Sequence, residues 1–362
     1  MERPTLDKFP KSALAQIDVQ KAFIVSRLVI AAERLQLFRV LHGKRLPADA
    51  LSRLLRIHPT LVAPFLNALA GLGLLRKENS AYGNTPFAEK YFVKERSIYW
   101  TRQFSSECVA GYERLIDFEK TLRSGRTRRP QATPGYVERM KRDPREAEDF
   151  TQMLFHLHEG DAEALAAYLD LAKRHAVLDV GGGSGVMSIA LAKKNPHLTA
   201  CILDIAAVCQ IAARNARRAG LSRRVHTQAG DIRQPLPPGY DVVLFCDIGA
   251  VTSRHLRNAY RCLPPGGMLA LADRYLADDG TRPLDRLIEH FTGSSFGLAT
   301  RRDVVEAVNA AGFQSARAQN VYQEVWYITA IKPPAPGVRR NPAPSPRPAP
   351  RSAPLRAEPG TE

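Results

Sequence analysis

At 362 residues with 44% apolar side chains, the chain has the length for a main domain and a smaller one. No apolar run approaches the roughly 20 residues of a membrane span, and the amino terminus "MERPTLDKFPKSAL" has no apolar core of signal-peptide type, so a cytoplasmic protein with no membrane partner is expected. Five cysteines (Cys108, Cys201, Cys209, Cys246, Cys262) are odd in number and form no C-x-x-C, which argues for reduced thiols rather than disulfides or a metal. The net charge of +16 gathers in two runs. One holds Arg123, Arg126, Arg128, Arg129, Arg139, Lys141, Arg142 and Arg145. The other holds Arg339, Arg340, Arg347, Arg351 and Arg356. Such runs read as solvated segments, and a nucleic-acid partner is not expected.

In chain order, "AQIDVQKAFIVSRLVIAAERLQLFRVL" (15–41) repeats apolar groups at helical spacing on more than one face, as a helix buried on several sides would. Helices over 46–57 and 58–75 follow, with Gly73 as a stop, and then a hairpin-like piece around "YGNTPFAEKYF". Three helices and a hairpin suggest a winged helix. Its groove-reading helix, Thr60 to Leu72, carries Asn67 and no Lys or Arg, so the unit reads as a packing or dimerisation module rather than a DNA reader.

From Leu171 the pattern changes to short β-rich runs at 176–180, 199–204, 224–231, 240–247, 266–273 and 324–332. Helices are expected between them at 185–194, 206–219, 251–262 and 301–311. This alternation implies an α/β fold, a Rossmann-like doubly wound sheet binding its ligand at the carboxyl ends of the strands. Residues 333–362 hold ten prolines and few bulky apolar groups, the composition of a disordered tail. The expected division is 1–105 winged-helix dimerisation domain, 106–165 basic linker and connecting helices, 166–333 ligand-binding domain and 334–362 tail.

The chemistry-bearing stretch is "VLDVGGGSG" (177–185). Gly181, Gly183 and Gly185 give a turn that lets backbone approach a ligand, with Asp179 inside the preceding strand. The dinucleotide fingerprint requires a glycine at 186, and this chain has Val186, which favours S-adenosylmethionine over NAD. Asp204 ends the next strand, where a carboxylate accepts both hydroxyls of a ribose; the plainer alternative is a helix N-cap. Asp231 ends the third, where an acceptor meets an adenine amino group.

These pieces, with "LFRVL", "FLNALAGLGLL", "YGNTPFAEKYFV", "LDIAAVCQIA", "AGDIRQPLP", "LPPGGMLALAD" and "VVEAVNAAGF", resemble the small-molecule O-methyltransferases of the caffeate and hydroxyindole type over about residues 15–333. The resemblance implies a class I methyltransferase domain binding S-adenosyl-L-methionine, a winged-helix dimerisation domain, a homodimer and a small-molecule acceptor. It further implies that Gly181, Asp204, Asp231 and Ile232 line the cofactor site, with Cys246 at the edge beside the sulfonium.

One position departs from the pattern. The family's catalytic His falls at Ala250 in "LFCDIGAVTSRHLRN", and its supporting Glu near Leu298. Replacement bases are His255, His156 or His158 in "FTQMLFHLHEG", and Glu289-His290; His156 and His158, two apart, face different sides of a helix. A base is also dispensable for a thiolate, thioether, carboxylate or electron-rich carbon nucleophile. "VLFCDI" without His-Asp is similar to the C-methylating relatives of bacteriochlorophyll biosynthesis. O-methylation is the family's commonest outcome; C- or S-methylation and a non-catalytic cofactor-binding relative are the alternatives.

Overall fold

The computed structural model describes residues 21–93, 111–113, 115–125, 136–291 and 297–334. The first turns of the 15–41 segment, Cys108, the linker arginines Arg126, Arg128 and Arg129, and the tail from 335 lie outside the described residues. The segment expected as one helix is two, α1 (Ala22–Arg34) and α2 (Leu37–Val40), separated by Gln36 in the left-handed region (φ 58°). The break turns Leu37 and Phe38 into the core, where Phe38 stacks on Phe92 at 4.6 Å. Strand β1 (Leu46–Pro47), α3 (Ala48–Leu55) and α4 (Pro59–Gly71) follow. Gly73 (φ 75°) ends α4 as anticipated, with the Leu74 N–H donating back to Leu69 C=O at 2.9 Å. Strands β2 (Leu75–Glu78) and β3 (Ala81–Asn84) pair antiparallel, with β1 on the other side of β3, and complete the wing. A helical turn at Pro86–Ala88 runs on into a π-helical turn at Glu89–Val93.

Among the described residues, the helices α5 (Phe118–Ser124), α6 (Tyr136–Arg142), α7 (Pro144–Leu157) and α8 (Glu159–Tyr168) lead into the second unit. Then β4 (Ala176–Val180), α9 (Val186–Lys194), β5 (Thr199–Asp204), α10 (Ala206–Arg218), β6 (Val225–Ala229) and β7 (Val242–Cys246) follow. After them come α11 (Ser253–Cys262), β8 (Met268–Asp273), α12 (Leu284–Phe291), α13 (Arg301–Ala310), β9 (Gln314–Tyr322) and β10 (Val325–Ile331).

The sheet order is β6-β5-β4-β7-β8-β10-β9, parallel from β6 to β8 and antiparallel at β10 and β9. Side chains alternate across it. Val177, Val242, Leu244, Ala270 and Ala272 pack into one apolar layer, and Leu178, Val180, Val243, Phe245, Leu269 and Leu271 into the other. Burying each of the larger of these contributes about 1.5–3 kcal/mol. Chain order reverses between β4 and β7, so the loops after those strands flank the crevice where a doubly wound sheet holds its ligand. No described helix is long and apolar enough to cross a membrane.

Candidate active site

The loop after β4 is shaped to receive a ligand. Gly181 takes φ 71°, and a Cβ there would stand 2.7 Å from Ile248 Cγ2, so the turn is pressed against the segment after β7. Gly183 takes φ 53°, and a Cβ there would meet only Gly181 O, at 3.9 Å. Its side faces open space that only glycine leaves free. Gly185 is the left-handed residue from which α9 starts.

Three carboxylates support this loop differently. Asp179 is fully buried and accepts from Ser188 Oγ at 2.7 Å; burial lifts its carboxyl to about 6, against that hydrogen bond, and the nearby Asp204 charge adds to the rise. Asp204 accepts from Gly183 N–H at 2.9 Å through one oxygen and from Ile205 N–H at 2.7 Å through the other. The N-cap of α10 is Ile205, without a side-chain cap, so Asp204 grips the glycine loop instead of capping the helix. Each of its oxygens keeps a lone pair for a ribose hydroxyl. Asp231 is more exposed and is held by Arg233 (2.6 Å), whose hydrogen bonds lower its carboxyl to about 2; Ile232 lies under Gly181. An open glycine cradle, a buried anchor and a half-satisfied carboxylate fit the adenosyl end of S-adenosylmethionine.

Across the crevice, β7 ends at Cys246, followed by Asp247 in the left-handed region (φ 50°). A non-glycine residue in that conformation is uncommon and is kept by its surroundings. His158, at the junction of α7 and α8, sets Nδ1 2.7 Å from Asp161 Oδ2. Its Nε2 lies 3.3 Å from Asp247 Oδ2, close enough for an ion pair but too oblique for a hydrogen bond. Burial alone would depress this imidazole, but the two carboxylates outweigh it and raise it to about 9. Asp247 also lies 3.7 Å from Arg286, which reaches Asp273 at 2.5 Å. Burial pushes Asp247 up but His158 and the arginines prevail and hold it low, while burial and the Asp247 charge push Asp273 up.

The other histidines stand elsewhere. His255 is in the capping box of α11: its Nδ1 accepts from Thr252 N–H at 3.2 Å and its own N–H donates to Thr252 Oγ1 at 3.4 Å. His290 is exposed on α12 against the ring of Phe291. His156 points its Nδ1 toward Glu159 at 3.5 Å, away from His158 as their spacing requires. Ala250 faces Gly297, where a Cβ would come 3.2 Å from that of Ala250, so positions 250 and 297 are neighbours and both carry almost no side chain.

Asp273, Asp161, Arg286 and Tyr275 escaped the sequence reading. Asp273 ends a strand as Asp204 does, and the same rule could have found it. A buried arginine inside a helix gives no comparable sign.

A family model described as an O-methyltransferase domain matches residues 117–314, and one described as an O-methyltransferase dimerisation domain matches residues 17–94. The chain therefore belongs to the O-methyltransferase family, and its methyl donor is S-adenosylmethionine. Among curated relatives, a 3-hydroxy-5-methyl-1-naphthoate 3-O-methyltransferase of Streptomyces sahachiroi is 29% identical over 61% of this chain, an alignment spanning 65% of that enzyme. An L-tyrosine C(3)-methyltransferase of Streptomyces lavendulae is 33% identical over 59% of this chain and 63% of its own length. Both alignments thus span less than two thirds of the relative. Human N-acetylserotonin methyltransferase, solved in complex with its methyl donor, shares the fold with a TM-score of 0.73 at 20% identity, covering 92% of this chain and all of that one. The chain is an S-adenosylmethionine-dependent methyltransferase of the small-molecule type.

Proposed function

We propose that this enzyme methylates its acceptor at an atom that attacks without an imidazole base, such as an electron-rich ring carbon. The observation that carries the reading is Ala250, a lone methyl group where the family's base would stand, packed beside Gly297 and next to Leu298, near which the supporting Glu would fall. His158 does not take over that task, because the Asp161 and Asp247 carboxylates on its two sides favour the imidazolium, which has no free lone pair to accept a proton. The kinship with a tyrosine C-methyltransferase is in keeping with this.

When bound, S-adenosylmethionine supplies an electrophilic methyl group. Gly183, Asp204, Asp231 and Ile232 would hold its adenosyl portion, with Asp179 stiffening the loop beneath and Cys246 at the end of β7 across the crevice. The acceptor lies between that strand end and α12, where orientation and exclusion of water supply the acceleration. Isotope-labelled methyl transfer with NMR of the product tests the reading: a new carbon–methyl bond is expected, and an O-methyl product overturns it. O-methylation is the second reading, favoured by Asp247, a carboxylate able to receive a phenol's proton.

The assembly we propose is a homodimer formed through the 1–105 unit, with 106–165 connecting it to the catalytic unit over 166–333 and 334–362 as an appendage. The cytoplasm suits it, since the four described cysteines are all unpaired thiols.

A further inference from the structure

The glycine loop is pinned from two sides, and only one of them is the end of β5. Ser184 lies between Gly183 (φ 53°) and Gly185 (φ 79°), two left-handed residues that break any repeating hydrogen-bond ladder. Gly183 N–H donates to Asp204, and Gly185 N–H donates to Gly182 C=O at 2.9 Å. The Ser184 carbonyl instead accepts from Asn215 Nδ2, on α10, at 3.0 Å. Asn215 Oδ1 accepts in turn from Gln152 Nε2, on α7, at 3.0 Å. The same Gln152 nitrogen donates to Glu148 Oε1 at 3.2 Å, and Glu148 is paired with Arg214.

This chain of amides has one possible polarity. Its two ends are a carbonyl and a carboxylate, which only accept, so Gln152 must present both N–H groups and Asn215 must turn its own toward Ser184. Turning either amide over would set acceptor against acceptor. Ser184, Gln152 and Asn215 are 3%, 5% and 5% accessible, so water is not at hand to replace a lost partner. A buried network of single polarity holds its members in one place. The helix that carries Gln152 is capped at its other end by His158, beside Asp247. One helix therefore meets the glycine loop through Asn215 and the segment after β7 through its cap.

We infer that Asn215 and, through it, Gln152 are positioning residues for the methyl donor, fixing the Ser184 carbonyl and with it the open face of Gly183. This rests on the reading of the glycine loop as the donor cradle. Gly183→Ala separates the two: if it leaves S-adenosylhomocysteine affinity unchanged the cradle itself fails, whereas if it weakens binding and changes at 152 and 215 do not, only the role of Asn215 fails.

The test is calorimetric titration of the intact protein with S-adenosylhomocysteine. Asn215→Leu is expected to bind at least about tenfold more weakly than wild type. Gln152→Leu is expected to lose about threefold or more, and the double variant to stay within about twofold of Asn215→Leu, because Gln152 acts only through Asn215. Val308→Ala opens a cavity under α13 instead, and is expected to melt lower with affinity within about twofold of wild type. Asn215→Asp keeps the inference open to refutation even where the leucine variants do not fold. A protonated Asp offers one donor to Ser184 and one acceptor to Gln152, whereas an ionised one sets a charge against the carbonyl. Glu148 and Arg214 adjoin this position through Gln152, and Asp204 adjoins it through Gly183. These groups and Asp179 titrate in both proteins, so variant and wild type are compared at the same pH. Asn215→Asp is expected to be about tenfold weaker near pH 8 and within about threefold of wild type near pH 5, where burial keeps a carboxyl protonated. Wild-type affinity in Asn215→Leu overturns the inference, as do losses that multiply in the double variant, an equal loss in Val308→Ala, or an Asn215→Asp deficit that is the same at both pH values.

Discussion

At Gly183 a single methyl group separates folding from ligand binding. Its φ of 53° makes alanine there about 1–2 kcal/mol less stable, but the nearest atom to the added carbon is 3.9 Å away, so no clash follows. Gly183→Ala should therefore fold and lose cofactor affinity by at least about tenfold, as titration with S-adenosylhomocysteine would register. An unchanged affinity would mean the cradle is not where the donor sits. His255 calls for the opposite outcome. As part of a capping box, His255→Ala should cost about 1 kcal/mol of stability in a denaturant melt and leave turnover near wild type at saturating substrate. A loss of turnover beyond about a hundredfold, the scale of general-base removal, would restore it as a catalytic group. At this scale the sequence spoke through strand ends. Asp179, Asp204 and Asp231 were singled out because each sits within, at the end of or just past a β-rich run. The placing of Arg286 depends on how a helix folds back over the sheet, which no local pattern encodes.

Among the elements, the parallel strands were the most legible, because a fully buried strand leaves an unbroken apolar run. Runs at 176–180 and 199–204 coincide with β4 and β5 to the residue. Strand β9, "QSARAQNVY", escaped notice because an edge strand pairs on one side only and here exposes most of its side chains. The 15–41 segment misled for a different reason: its apolar repeat crosses Gln36 without interruption, while the chain turns there. Turning leaves Phe23 and Ile24 on α1 55% and 45% exposed, an apolar face in a unit matching a dimerisation domain. Replacing both with Glu is expected to convert a dimer into a monomer by light scattering after gel filtration. A dimer that survives the double substitution would place the contact elsewhere.

For the molecule as a whole, two electrostatic effects oppose each other as pH rises. Net charge falls from +16 toward zero near the pI of about 9.9, which relieves repulsion among surface groups and favours the compact state. The buried cluster works the other way. His158 is raised from 6.5 to about 9 on folding, so its contribution is complete below pH 6.5 and lost as pH climbs through 9. Asp273, raised by burial from 3.8 to about 7, loses stability in the same direction but mostly at lower pH, between those two values, so the limb above pH 7 belongs to His158. Surface repulsion is screened beyond about 8 Å at physiological salt, whereas the cluster is shielded from solvent, so the cluster should prevail. The melting temperature is expected to fall between pH 6.5 and 9.5 in 0.15 M salt, by a free-energy change on the order of 3 kcal/mol, and His158→Gln should flatten that limb. A melting temperature that rises over the same range would show that the imidazole is not held as a cation.

The juxtaposition of Ala250 and Gly297 also bears on how such enzymes diverge. On the reading proposed above, the donor cradle is built by the loops after β4, β5 and β6, whereas these two residues stand past β7 and before α13, in the segment whose Ile248 packs against Gly181. If Ala250 marks the place of the family's base, as proposed, losing or regaining that base changes a residue outside the glycine loop. A lineage can therefore exchange one kind of nucleophile for another through a pair of small residues, keeping its methyl donor while its chemistry drifts.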